Sequence, residues 1–415
     1  MTGEPPCRHC GSRLERVVLD LGHQPPSNAY LSAADLARPE ITYPLTVFAC
    51  TSCWLVQLPA HAAAGELFTA DYAYFSSTST SWCAHAEHFV SAAVERLGLG
   101  VQSQVVELAS NDGYLLQFVR QRGIPCLGIE PTHATAEAAR AKGIPTLERF
   151  FGVALARELV AEGRRADLVV ANNVLAHVPD INDFVAGIAV LLKPGGRASI
   201  ECPHLLRLLQ GNQFDTIYHE HYSYLSLRVV RRIAAVAGLD VVDVEELRTH
   251  GGSLRLWLAH QGAAEESAAV ARVLAAEAAA GLESMEAYAD FQRRAEAAKH
   301  DLLEFLLQAK REGRRVLGYG AAAKGNTFLN YAGIRSDLLP AVADRAPSKQ
   351  GKFLPGSHIP VISPERLESL TPDELLVLPW NLIDELRQQL AGQPLVTAIP
   401  HLKRWEAGQS RQAAR

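Results

Sequence analysis

The chain has no block of lysine and arginine: 40 basic residues are scattered among 45 acidic ones, for a net charge of −5. That excludes the basic face on which nucleic-acid binding depends and points to a small-molecule partner instead. No apolar run approaches the roughly 18 residues of a membrane span, and the opening MTGEPPCRHCGSRLE lacks the charged and then apolar order of a secretory signal. A cytoplasmic protein that binds neither nucleic acid nor membrane is therefore expected, as a monomer or weak oligomer. Aromatic residues make up only 7% of the chain, so their clustering is informative. The stretch DTIYHEHYSYLS, Asp215 to Ser226, puts two of 15 histidines and three of 11 tyrosines into seven residues. It reads either as an active site or as a solvated loop. At about 150 residues per domain, 415 residues predict two to three domains.

Cysteine is also sparse, seven in all, yet four form two pairs, Cys7-x-x-Cys10 and Cys50-x-x-Cys53. Each C-x-x-C knuckle turns two sulfurs to one side, and two knuckles complete the tetrahedron that Zn²⁺ prefers, with no open position for chemistry. A structural zinc site is expected, with reduced cysteines or a redox pair as the alternatives. Between the pairs, LGHQPPSNAYL is rich in proline and predicted to be irregular, ordered by the metal. Residues 1–68 are thus expected to be a zinc-binding domain.

Residues 69–262 alternate apolar runs with helical periodicity: QVVELASNDGYLLQFVRQRG, IPCLGIEP, ADLVVANNVLAH, RASIECPH. This βαβ pattern implies a doubly wound parallel sheet, which binds ligands beyond the carboxyl ends of its strands. The first run ends in Glu107, Ser110, Asn111 and Gly113 before a helix, and the second in Glu130, 17 residues beyond Gly113, placed for the hydroxyls of a ribose. The turn lacks two of the three glycines of G-x-G-x-x-G, so a pyrophosphate cannot approach closely and NAD is disfavoured. S-adenosylmethionine, a nucleoside without a pyrophosphate, suits it better; a helix-capping turn with surface acids is the plain alternative. The third run ends in Asn172-Asn173, with His177 starting the next helix on the same rim, and the fourth leads into the histidine–tyrosine loop. Ser226 is placed to cap LRVVRRIAAVAGL, and VVDVEEL and SLRLWLAH complete the sheet.

Residues 263–312, rich in alanine, glutamate and arginine, read as a helical connector, and residues 313–415 repeat the βαβ pattern as a smaller Rossmann-like domain. Its turn Gly320-Ala-Ala-Ala-Lys324-Gly325 departs from the Walker pattern, which places lysine after the glycine, so nucleotide hydrolysis is not expected. It reads as a cradle for the diphosphate of a sugar nucleotide through Lys324, or as a degenerate packing element.

Taken together, CRHCG and CTSCWLVQL, VVELASNDGYLL, GIEP, NNVLAHVPD, YHEHYSY and GYGAAAKGNT resemble, in their order along nearly the whole chain, the S-adenosylmethionine-dependent C-methyltransferases of deoxysugar biosynthesis. The resemblance implies an enzyme with an α/β fold: a central class I methyltransferase Rossmann-like sheet, a small N-terminal zinc domain and a C-terminal Rossmann-like domain. It implies as substrate a nucleotide-linked 4-keto-6-deoxy sugar, methylated beside the ketone, usually at C3 and in some members at C5. By that similarity His221 is the base, with Tyr218, Glu220, His177 and Tyr222 orienting it or holding the enolate. Tyr72, Tyr74, His204, Tyr224, Lys324 and Asn326 are then expected at the substrate. Three other readings remain: a metal on His219 and His221, an isomerase using the same base, and a non-catalytic sugar-nucleotide binder.

Overall fold

The computed structural model describes residues 5–61, 65 and 75–407. Tyr72 and Tyr74, two of the three tyrosines expected at the substrate, lie outside the described residues. Near the N-terminus, strand β1 (Arg16–Gln24) pairs antiparallel with β2 (Tyr43–Ala49), and β2 with β3 (Val56–Gln57). Along β2, Leu45, Val47 and Ala49 are buried while the residues between them are only partly covered, the period of two that fixes which face packs.

The stretch LGHQPPSNAYL differs from its expectation in two ways. Its first four residues are the regular end of β1, and the remainder is tied to the C-terminal region, a partner the sequence did not suggest. Ser27 Oγ bonds Thr327 Oγ1 at 3.2 Å, Asn326 Nδ2 donates to Ser27 O at 2.7 Å, and Leu31 and Phe353 exchange backbone bonds of 2.9 and 2.8 Å. Proline and glycine signals mark irregular backbone but say nothing about a partner 300 residues away in sequence.

The central sheet contains β4 (Val105–Leu108), β5 (Cys126–Ile129), β6 (Thr146–Leu147), β7 (Ala166–Asn172), β8 (Leu192–Pro203), β10 (Leu239–Leu247) and β11 (Ser253–His260). Its order is β10-β11-β8-β7-β4-β5-β6, with β11 antiparallel to both neighbours and the other pairings parallel. All four residues of β4 are buried, as in a parallel strand covered by helices on both faces. The chain runs from β4 outward through β5 and β6, then returns to β7 on the other side of β4. The topological switch point, where such sheets open a crevice, is therefore between β4 and β7. Ser226 does cap the helix Leu227–Val236, its hydroxyl accepting from Val229 N at 3.2 Å.

Between Asp215 and Ser226, β9 (Ser223–Tyr224) leaves the central sheet altogether and pairs with β3 as the fourth strand of the N-terminal sheet, Val56 opposite Tyr224 and Gln57 opposite Ser223. After the helices Ala268–Ala279 and Phe291–Arg311, a third sheet is built from β12 (Val316–Tyr319), β13 (Val342–Ala343), β14 (Val361–Ile362), β15 (Glu374–Val377), β16 (Leu395–Thr397) and β17 (Lys403–Trp405). Its order, β14-β13-β12-β15-β16-β17, is parallel except at β17 and has its own switch point between β12 and β15. One core joins Leu45 and Val47 of the N-terminal sheet to Phe291 and Leu302 of the long helix, Phe328 of the helix Ala323–Ala332 and Val342 of the third sheet. Among the described residues no helix is long and apolar enough to cross a membrane.

Candidate active site

A cavity of about 580 Å³ opens where the two switch points face each other across the histidine–tyrosine loop. On its methyltransferase-sheet side the turn after β4 holds Ala109, Asn111 and Gly113 at φ of 52°, 51° and 75°. A Cβ on Gly113 would stand 2.3 Å from Ile144 Cδ1, so the left-handed backbone and the close packing both require glycine there. Glu130 closes the turn: one carboxylate oxygen accepts Asn111 N at 2.9 Å, the other Thr132 N at 2.9 Å and the Thr132 hydroxyl. Asn111, Glu130, Asn172 and Asn173 line the cavity. Glu107, Ser110 and Gly113 lie beneath it, where burial holds the Glu107 carboxyl well above its ordinary range, with a hydrogen bond from Tyr114 opposing. Asn172 is the informative residue of this wall. It is 8% exposed, and neither atom of its side-chain amide has a partner among the described residues. A buried amide costs free energy unless it is hydrogen-bonded, so this one awaits a polar ligand.

The loop wall is built by a tight turn. His221 N donates to Tyr218 O at 2.8 Å, which folds the His221 ring over Tyr218 at a centroid distance of 4.0 Å. His221 Nδ1 bonds Thr216 O at 2.7 Å, and a carbonyl oxygen can only accept, so Nδ1 carries the proton and Nε2 is the basic nitrogen. His177 is fixed the same way, with Nδ1 on Glu220 O at 2.8 Å, and its ring stands edge-on to His221 at 4.6 Å. Burial depresses both imidazoles, His177 to about 4 and His221 well below its ordinary value, with His177 adding to the effect at His221. His177 belongs to a 3-10 turn, Leu175–His177, rather than the following helix, which starts at Ile181 with Asp180 as its cap. Glu220 accepts from Asn28 Nδ2 at 2.7 Å.

Not every expected residue faces the cavity. Tyr218, Glu220, His221, Tyr224, His177 and Lys324 line it; Tyr222, His204 and Asn326 do not. Tyr222 is 1% exposed beneath the Arg8 guanidinium, 5.1 Å from its ring. His204 Nε2 bonds Glu277 at 2.8 Å, and that carboxylate also accepts Leu227 N and Arg228 N at 2.6 and 3.0 Å, serving the helix start. Asn326 bonds Ser27. His219 turns away to Pro44 O at 3.2 Å, so it does not converge with His221 on a common ion. Sequence reasoning missed Asn28, His250, Trp380 and Asn381. His250, depressed to about 4 by burial, lines the cavity and bonds Asn173 Nδ2 at 3.2 Å. Its only local signal was the His-Gly-Gly that follows β10.

The four paired cysteines form the one group of three or more metal-binding side chains among the described residues, with all four sulfurs within 4.8 Å of one another. Cys7 and Cys53 are 3.5 Å apart, and Cys10 and Cys50 are 3.6 Å apart. A tetrahedral zinc with bonds of about 2.3 Å requires sulfurs about 3.8 Å apart, which the cluster meets. Gln57 Nε2 donates to Cys7 Sγ at 3.1 Å, and Gln57 is itself in the strand that pairs with the histidine–tyrosine loop.

A doubly wound sheet with an antiparallel β11 inserted beside β10, a cofactor turn after β4 and an appended cysteine cluster define a class I methyltransferase core with a structural zinc site. Three families match along the chain: "Putative zinc binding domain" over residues 7–68, "Methyltransferase domain" over 82–244 and "C-methyltransferase C-terminal domain" over 248–400. The C-methyltransferase NovU of Streptomyces niveus is 36% identical over 381 residues, 92% of this chain and 90% of that protein. Solved structures that resemble this chain include an S-adenosylmethionine-dependent methyltransferase from Clostridium acetobutylicum, at a TM-score of 0.35, 12% identity, 42% of this chain and 91% of that one. Another is the magnesium protoporphyrin IX methyltransferase of Synechocystis, at 0.32, 16%, 42% and 79%. The chain belongs to the S-adenosylmethionine-dependent C-methyltransferase family.

Proposed function

We propose that the protein methylates a nucleotide-linked 4-keto-6-deoxy sugar, carried on thymidine diphosphate, at the carbon beside the ketone, C3, through an enolate formed by His221. The observation that carries this reading is the state of His221: a neutral imidazole, Nδ1 tied to Thr216 O, with no partner for Nε2 among the described residues, on the wall of a cavity that also holds the unpaired amide of Asn172. A carbon acid beside a ketone needs a base that is uncharged at neutral pH and hydrogen-bond donors for the developing enolate oxygen. Burial keeps His221 uncharged, Thr216 fixes its tautomer, and Tyr218 and His177 pack against the ring and fix its plane. Asn111, Glu130 and Asn172 would hold S-adenosylmethionine, which when bound supplies an electrophilic methyl group without a metal or a covalent enzyme intermediate. Enclosure by three walls excludes water from the enolate.

Calorimetric titration with S-adenosylmethionine, followed by mass spectrometry of a thymidine-diphosphate 4-keto-6-deoxy sugar incubated with both, tests the reading. Micromolar cofactor binding and a gain of one methyl group are expected. An unmethylated sugar that has exchanged its carbon-bound proton would instead indicate an isomerase.

A further inference from the structure

Lys324 was expected at a diphosphate because it follows a glycine turn, yet that turn is already filled. Ala321 N donates to Asp344 Oδ2 at 2.7 Å, so a carboxylate, itself paired with Lys349 Nζ at 3.7 Å, takes the backbone N–H that an anion would use. The lysine side chain points elsewhere, with Nζ on Asn381 Oδ1 at 2.8 Å and 4.7 Å above the Trp380 ring. Trp380 Nε1 is in turn held by buried Asp215, at 2.7 Å from Oδ2. Asp215 is followed directly by Thr216, the residue that holds His221. Thr216 thus holds the base and the residue before it holds the tryptophan beneath the ammonium, and His221 and Lys324 both line the same cavity.

We propose that Lys324 is the catalytic cation that holds the ketone oxygen as it becomes an enolate. This rests on the reading of His221 as the base. His221 Nε2 takes the proton from carbon, the C–H electrons form the C=C bond, and the carbonyl π pair moves onto oxygen, where an ammonium N–H donates to it without giving up its proton. Asn381 is a neutral partner and occupies one of the three N–H donors, so charge and donors remain for the oxygen. Burial lowers the Lys324 pKa, and the buried Asp215 carboxylate opposes that and favours the ammonium.

The test is deuterium wash-in at the sugar carbon in D₂O, with a thymidine-diphosphate 4-keto-6-deoxy sugar, the full-length protein and no S-adenosylmethionine. Lys324→Met is expected to slow exchange at saturating sugar by about 10²- to 10³-fold, with unchanged affinity for thymidine diphosphate and for S-adenosylmethionine, the latter also checking the fold. Wild-type exchange at saturation with about 100-fold weaker diphosphate binding would overturn the proposal, return Lys324 to the diphosphate and leave the base standing. Absence of exchange in the wild type would remove the base reading and this inference together. Asn381→Ala, which keeps the ammonium but frees it, gives a second variant: exchange about tenfold slower supports the proposal, and no change counts against it.

Discussion

The base role proposed for His221 depends on two features that settle its protonation in advance. Thr216 O fixes the proton on Nδ1, and the surrounding packing makes the imidazolium costly. Replacing His221 with asparagine keeps the volume and removes the basic nitrogen, so transfer should fall by about 10²- to 10⁴-fold while S-adenosylmethionine affinity, read by calorimetry, stays within about twofold. Glu130→Ala should do the reverse, weakening the cofactor by about 10- to 100-fold, because the carboxylate organises the turn through Asn111 N and Thr132 N. Burial also sets the pH response of stability. His177, His219 and His250 are depressed to about 4, and His221 well below its ordinary value, all chiefly by burial. Between the ordinary histidine value near 6.5 and about 4 the unfolded chain binds more protons than the folded one, so stability falls as pH falls through that window. Asp215, raised to about 6, and Glu107, also raised, oppose this, but four imidazoles outweigh two carboxyls. The denaturant midpoint should be lower at pH 5 than at pH 7.5; an unchanged midpoint would show that these rings are hydrated.

At the scale of elements, the pairing of β3 with β9 would give the zinc site a mechanical role in the proposed chemistry. The two knuckles hold β3 in place, β3 pairs with Ser223 and Tyr224, and Leu58 N donates to Tyr222 O at 3.0 Å, so the loop carrying His221 hangs from the metal-bearing sheet. Cys50→Ser should therefore release zinc, measured by atomic absorption, and also slow methyl transfer by about tenfold or more, since about 1 Å of misplacement costs up to 100-fold. A variant that loses its zinc and keeps its turnover would show that β9 holds its register alone. Most strands were legible in the chain itself, because VVEL, CLGI and DLVVAN are apolar runs bounded by turn residues. The 3-10 turn at His177 was not, because the apolar NNVLAHV continues the helical pattern and only the Asp180 cap marks where the helix begins.

Across the whole molecule, the cavity has walls from three sheets, and its polar groups cross between them. Asn28, from the segment after β1, reaches Glu220 across 192 residues of sequence, and Tyr30 OH donates to Ala321 O of the third sheet. Asn28→Ala should lower the turnover number about tenfold with little change in cofactor affinity, because Glu220 loses a charge-assisted hydrogen bond of about 1.5–3 kcal/mol. Unchanged turnover would show that Glu220 is held sufficiently by its other contacts.

By itself the sequence determined the local matters: the metal ligands, because two C-x-x-C turns need no distant partner; the βαβ periodicity of both Rossmann-like regions; and the concentration of histidine and tyrosine in one loop. Only tertiary structure decided which of those side chains share a cavity. His204 and Asn326 carry the same chemical promise in sequence as His221 and Lys324, yet Glu277 and Ser27 take them up in the interior. The physical reason is that a buried polar group must find a partner, and whether that partner is protein or ligand depends on elements brought together from across the chain.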